Sequence, residues 1–171
     1  MTDDDFITRI GEILLAAGKQ PAPEVLKLCD SQLAEAEARI GMVPPMLLLK
    51  LYRGISNGGF GPFLGLLGLG GGATDRAGHT ADRLHQIYAD PDDGNPARDW
   101  PVGLLPICEE DGGQYICIDC FDESLHRWCP EHWDQSLPPQ SAILPLDLDL
   151  RDWLGAWISG LAAPATTEPL P

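Results

Sequence analysis

Residues 100–131 read WPVGLLPICEEDGGQYICIDCFDESLHRWCPE, and this stretch decides the fold class. It holds three apolar runs separated by turns at 111–113 and 122–124, whose Asp, Gly and Ser residues are the types that reverse a chain. The runs therefore predict a three-stranded antiparallel meander. In the middle run, QYICIDCF, both alternating sets of side chains are mostly apolar, which indicates a central strand covered on both faces.

Helical patterns surround the meander. Apolar residues recur at helical spacing in the stretches TDDDFITRIGEILLAAG, DSQLAEAEARIG, PMLLLKLYRG, TADRLHQIYAD and RDWLGAWISGL. Within the fourth pattern, Leu84, Ile87 and Tyr88 are predicted to face inward, and AILPLDLDL carries a shorter strand. We predict an α+β fold in which helices pack against a mixed or mostly antiparallel sheet, with residues 1–161 in a single domain. Residues 162–171 are rich in Pro and Ala, which predicts a disordered tail.

The segment NGGFGPFLGLLGLGGG, residues 57–72, raises the question of a phosphate-binding loop because half of it is glycine. It matches neither GxGxxG nor GxxxxGK[ST], and no strand pattern leads into it. Its Phe and Leu side chains are too apolar for a free loop, while glycine permits close approach of backbones. We therefore expect this glycine segment to pack along the domain as an extended or edge segment.

The charge of the chain favours a basic protein partner. The formal net charge is −15, and residues 90–152 hold 15 acidic residues against 3 basic ones. A negative field repels nucleic acid and anionic membranes and attracts basic proteins. The N-terminus MTDDDF lacks the basic start of a secretory signal, and no apolar run approaches the ~20 residues of a membrane span, which predicts a cytoplasmic protein.

Five cysteines without a secretory signal predict reduced thiols. Cys117 and Cys120, followed by His126, Cys129 and His132, have the residue types of a zinc site. In a strand, however, residues three apart point to opposite faces, so we expect core cysteines and no metal or cofactor. A zinc-stabilised module or enzyme is the alternative, and a nucleophile formed by Cys129 with either histidine is a further one.

Three other polar residues, Asp119, His79 and His85, are of types that can act in catalysis. Asp119 lies in the middle of the predicted central strand, where a carboxylate needs hydrogen-bond partners. His79 and His85 lie in or near the fourth helical pattern and are expected to be solvated. No second buried carboxylate is identifiable in the sequence, so paired acid–base catalysis has no candidate. We predict a protein without catalytic residues.

Several motifs resemble the SUKH superfamily, which contains bacterial immunity proteins and homologues of a yeast cell-wall-synthesis regulator. They are EARIG, the proline pair of VPPM, NGGFGP with GLLGL, and WPVGLLPIC leading into a strand that ends near Asp119. They occur in family order between about residues 33 and 157. Many members carry a Trp–Gly pair after the PIC segment, where this chain has Glu109-Glu110-Asp111-Gly112-Gly113. The resemblance implies an α+β fold and an immunity function.

We therefore expect an acidic protein-binding module that neutralises a bacterial toxin domain by occluding it, with a regulatory adaptor of the same fold as the alternative. The partner surface is predicted at one of the two ends of the meander. The favoured set is Asp90, Asp92, Asp93, Asp99, Asp122 and Glu123, and the alternative set is Glu109, Glu110, Asp111 and Glu131. Carboxylate-rich surfaces of this kind raise association rates with basic partners.

Overall fold

The computed structural model describes residues 1–90 and 99–162. These residues form five α-helices and four β-strands, in the chain order α1 (Asp3–Ala16), α2 (Asp30–Ile40), α3 (Met46–Gly54), α4 (Ala81–Ala89), β1 (Leu104–Glu109), β2 (Tyr115–Asp119), β3 (Ser124–Trp128), β4 (Ile143–Asp149) and α5 (Leu150–Ala162). Short 3-10 helices at Pro130–His132 and Pro139–Ala142 connect β3 to β4. Helices pack against a single sheet, which confirms the predicted α+β fold.

The sheet has the order β1-β2-β3-β4, and each neighbouring pair is antiparallel. This order confirms the predicted meander. β4 was expected to be a shorter strand, and that expectation is wrong, because it has seven residues and is the longest strand in the described part of the chain. Pro145 does not shorten it, since β4 lies at the edge of the sheet, where a missing N–H group is tolerated.

β2 is covered on both faces, as its sequence pattern predicts. Ile116 and Ile118 belong to the main core between the sheet and the helices. Cys117 points the other way, into a smaller cluster that includes Trp100 and Trp128. The two indole rings pack edge to face with centroids 5.2 Å apart, an arrangement that aromatic pairs favour.

β2 is shorter than its sequence pattern suggested. The predicted run of eight residues ends as a strand at Asp119, which is therefore its last residue and not its middle one. The Asp119 Oδ1 atom accepts a hydrogen bond from the Phe121 N–H at 2.7 Å. An Asp that binds the backbone two residues later forms a turn that competes with the strand, so the carboxylate itself ends β2.

The inward face of α4 also differs from the prediction. Ile87 is exposed, whereas His85 is buried and not solvated, and burial lowers the pKa of its imidazole. Asp82, on the same face, accepts a hydrogen bond from Arg39 of α2 at 2.6 Å and from the Gly70 N–H at 2.9 Å. α4 packs against both α2 and β1. Positions that would face water on a helix with a single packing partner are therefore buried here.

The glycine segment lies along the free edge of β1, which confirms the prediction of a packed edge segment. Leu66 forms an isolated antiparallel bridge with Cys108, and the Leu67 N–H donates to the Ile107 carbonyl at 2.7 Å. Gly58 has φ +82°, and a Cβ there would lie 2.5 Å from the Leu66 carbonyl oxygen. The glycines are needed because a side chain would prevent this approach.

Two predictions concern the ends and environment of the chain. α5 ends at Ala162, and the remainder of the predicted tail, residues 163–171, lies outside the described residues. Among the residues that the structure describes, no helix has the length and apolar character needed to cross a bilayer.

Candidate partner-binding surface

The four-stranded sheet has two ends that carry the predicted acidic residues. The β1–β2 end comprises residues 109–115 with Glu131, and the β2–β3 end comprises residues 119–124 with residues 99–103. Leu104 pairs with Asp119 at one end of the hairpin, and Glu109 pairs with Tyr115 at the other. The five residues of β2 separate the two ends by about 17 Å, which is less than an eight-residue strand would give.

At the β1–β2 end, Glu110 is bound inside the protein. Its side chain accepts two hydrogen bonds from Arg127, from Nε at 2.7 Å and from Nη2 at 2.9 Å. Glu110 is only 5% exposed. This bidentate geometry is the strongest form of the Arg–carboxylate pair, and it uses both oxygens of the carboxylate.

The neighbouring carboxylates at this end share one arginine. Glu109 is buried, and it accepts the Arg76 N–H at 2.9 Å and lies 3.9 Å from the Arg76 Nε. Asp111 is exposed and lies 3.3 Å from the Arg76 Nη2. Glu131 is also exposed and lies next to Gly113. Three of the four residues of the alternative set are thus paired with arginines of the same chain.

A further buried carboxylate at the β1–β2 end was not found from the sequence. Asp75 accepts the backbone N–H groups of Ala77 at 2.9 Å and His79 at 2.8 Å, and the Tyr115 hydroxyl donates to it at 2.9 Å. Burial and this bond to a carboxylate both raise the pKa of Tyr115. The sequence does contain a signal for Asp75. It begins the run DRAGH, and an Asp three residues before a Gly is typical of a turn in which the Asp side chain accepts backbone N–H groups.

The β2–β3 end presents its carboxylates to water. Asp122 and Glu123 are exposed, and neither takes part in an ion pair within residues 1–90 and 99–162. Asp122 accepts hydrogen bonds from the Ser124 hydroxyl at 2.5 Å and the Ser124 N–H at 2.9 Å. These bonds lower the pKa of Asp122, so this carboxylate is ionised at neutral pH and held in a fixed turn.

The other members of the favoured set are spread out. Asp99 is exposed, and its carbonyl accepts a hydrogen bond from Gln140 at 3.1 Å. Asp90 lines a surface groove together with Arg39 and Arg83. Asp92 and Asp93 lie outside the described residues. Of the favoured set, the structure brings Asp122 and Glu123 together in one turn.

The cysteine residues considered for zinc or nucleophilic chemistry are largely buried. Cys117 and Cys120 pack on opposite faces of the sheet, as expected for a strand. Burial raises the pKa of Cys117, Cys129 and Cys120, the last to about 12, so their thiols stay protonated at neutral pH. Within the part of the chain that the structure describes, no three His, Cys, Asp or Glu side chains are grouped to hold a metal ion.

Comparison with known families agrees with the fold. A match to the SMI1/KNR4 family (SUKH-1) covers residues 27–154. The chain belongs to this family. The match spans α2 to the first turns of α5, so it includes the glycine segment, the whole sheet and both acidic ends. SUKH-1 membership supports a protein-interaction module of the SUKH type. Searches of curated proteins and of solved structures gave no match.

Proposed function

We propose that this protein is a cytoplasmic immunity protein that binds a basic bacterial toxin domain and covers its active cleft. The observation that carries the proposal is the pair Asp122 and Glu123, which are exposed, unpaired within the described residues and held in one turn. The chain belongs to the SMI1/KNR4 family (SUKH-1), and the resemblance of its motifs to the SUKH superfamily implies an immunity function. The net charge of −15 supports a partner of opposite sign.

The proposed mechanism is electrostatic steering followed by occlusion. A negative field accelerates the encounter with a basic surface, and carboxylates in a fixed turn lose little conformational entropy when they bind. A toxin that acts on an anionic substrate needs a basic cleft, and the same cleft attracts this surface. Binding alone then stops the toxin, so the protein needs no reaction of its own. Burial raises the pKa of Cys117 and Cys129, which argues against a thiolate nucleophile at these two positions.

The first experiment asks whether the protein protects cells. We expect a toxin domain to be encoded beside this gene, and the experiment expresses that domain in a bacterial host with and without the protein and measures growth. We expect growth to be restored only when both are present, and the purified proteins to form a stoichiometric complex. A neighbouring toxin that kills equally well in the presence of the folded protein contradicts the immunity proposal and favours the regulatory adaptor.

The second experiment locates the binding surface with two variants of equal charge. One is Asp122→Asn with Glu123→Lys, and its control is Asp134→Asn with Glu131→Lys. Asp134 accepts the Ser136 N–H at 2.9 Å in a turn like that of Asp122, so the two variants change the same chemistry at different places.

The first variant is expected to slow association with a catalytically inactive form of the toxin domain by about fivefold or more at low salt, and to flatten the salt dependence. The control variant has the same net charge and is expected to retain most of the rate. Equal slowing by both variants means that only net charge matters, and slowing by the control alone places the partner at the β1–β2 end. Either result contradicts the proposed surface.

A further inference from the structure

Phe121 is an exposed aromatic residue at the β2–β3 end, next to the acidic residues of the proposed surface. It is 71% exposed, and Val102 at the same end is 76% exposed. A phenyl ring that stays in water forgoes the favourable transfer of its apolar area. Single exposed apolar residues are ordinary on protein surfaces, so exposure by itself indicates nothing. The turn that holds Phe121 supplies the argument.

The backbone of this turn is fixed on both sides of Phe121. The Asp119 carboxylate accepts the Phe121 N–H at 2.7 Å, and the Asp119 carbonyl accepts the Glu123 N–H at 2.9 Å. The Cys120 N–H donates to the Gly103 carbonyl at 2.9 Å, which ties the turn to the segment before β1. A partner that binds Phe121 therefore does not have to order the backbone that carries it.

The Phe121 ring lies against Gly103, which has no side chain. Gly103 has φ +88°, and a Cβ there would lie 2.6 Å from the Phe121 Cε2 atom and 3.5 Å from the Met42 Sδ atom. Phe121 therefore lies next to the link between α2 and α3, where Val43 is also exposed. The Phe121 ring, the Met42 thioether and the Gly103 backbone, from three separate segments, thus lie close together.

Carboxylates surround this apolar surface. Asp119, Asp122 and Glu123 lie within four residues of one another in the same turn, and no ion pair among the described residues includes them. On the neighbouring sheet face, a shallow cavity of about 280 Å³ is lined mainly by apolar side chains, Pro101, Leu104, Ile143 and Pro145 among them. An apolar side chain bordered by charged groups resembles the apolar centre and polar rim of a protein–protein interface.

We propose that Phe121 is the anchor of the partner interface and inserts into an apolar pocket bordered by Lys or Arg side chains on a basic protein. This inference rests on the proposed function, because it places the anchor in the surface that binds the toxin. A second copy of this chain is a poor occupant, since a symmetric contact brings six carboxylates together without cations. Charge complementarity thus selects a basic partner of a different kind.

The test compares Phe121→Ala with Phe63→Ala in binding to the inactive toxin domain encoded beside this gene. Phe63 is 54% exposed in the glycine segment and provides a matched control for the loss of an exposed phenyl ring. Phe121→Ala is expected to raise the Kd by about 30-fold or more, mostly through faster dissociation, with the salt dependence unchanged. Phe63→Ala is expected to change it by less than about threefold.

A second variant covers the case in which Phe121→Ala does not fold. Phe121→Lys keeps an aliphatic stem over Gly103 and adds a charge that repels a basic pocket, so it is expected to weaken binding at least as much. If wild-type protein binds and protects while both Phe121 variants bind within threefold of it, the anchor is disproved and the immunity function stands. If wild-type protein forms a dimer that Phe121→Ala dissociates, the occupant is a second copy and the inference is also wrong. If the wild-type protein neither binds the toxin domain nor protects cells, the immunity proposal itself is wrong.

Discussion

Glu110 and Glu123 lie at opposite ends of the same small sheet, and their surroundings differ in almost every respect. Glu110 is buried and holds Arg127 through two hydrogen bonds, whereas Glu123 is exposed in a turn without an ion pair among the described residues. In the sequence both are simply members of an acidic segment. The difference shows that the charge available to a partner depends on where the few cations of the chain are placed.

The arginines explain the asymmetry. Residues 99–162 contain two basic residues, Arg127 and Arg151. Arg127 binds Glu110, and Arg151 reaches Asp3 of α1. Arg76, from the loop before α4, pairs with Glu109 and Asp111. The β1–β2 end is therefore partly neutralised from within, by Arg76 and Arg127, whereas the carboxylates of the β2–β3 end have no ion-pair partner among the described residues.

The largest expected effect is on the free energy of unfolding, which should differ between substitutions at the two ends of the sheet. Glu110→Ala leaves Arg127 without its carboxylate and is expected to lower the free energy of unfolding by about 2 kcal/mol, below the usual cost for a fully buried pair because Arg127 reaches water. Glu123→Ala is expected to change it by no more than about 0.5 kcal/mol. Urea unfolding measures both values. Equal losses would mean that the two ends do not differ in the way described.

A smaller effect is expected at Tyr115. Tyr115→Phe removes one of the three hydrogen bonds to buried Asp75 and is expected to cost about 1 kcal/mol, since two backbone N–H groups still bind the carboxylate. Ser124→Ala provides the comparison at the β2–β3 end, where the hydroxyl bonds are exposed and the change should stay within about 0.5 kcal/mol. If Tyr115→Phe is neutral in the same urea titration, Asp75 does not stabilise the β1–β2 end through this bond.

The smallest effect distinguishes two turns of similar geometry. The Ser124 hydroxyl is the main cause of the lowered pKa of Asp122, whereas the Ser136 N–H is the main cause of the lowered pKa of Asp134. Ser124→Ala should therefore raise the pKa of Asp122 toward its ordinary value more than Ser136→Ala raises that of Asp134. Carboxyl carbon shifts in an NMR pH titration measure both, and the reverse order would refute the assignment of causes.

The direction of the related stability change follows from linkage. A carboxyl whose pKa is depressed in the folded state stabilises the fold above its unfolded pKa, and this contribution is lost as the pH falls through the folded pKa. Ser124→Ala is thus expected to reduce stability slightly near neutral pH and to have no effect in strong acid.

The sequence was sufficient for the fold class and for the meander, because residues 104–128 hold three apolar runs of strand length separated by residues typical of turns. It was less informative about single polar side chains. The burial of His85 depends on α4 having two neighbours, and the binding of Glu110 depends on a residue 17 positions away. The exposure of Phe121 had a local signal, since Asp119 and Asp122 each precede a turn, but the apolar residues before them suggested a longer strand.

The glycine segment has a consequence for the order in which the chain becomes structured. The Leu67 N–H bonds to Ile107, so this segment finds its backbone partner forty residues further along the chain, in a strand that leaves the ribosome later. Such a long-range contact adds to the contact order and forms only after β1 is present. Although the segment is not itself a strand, its amide at Leu67 should exchange with deuterium at the rate at which β1 opens, and so behave as part of the sheet.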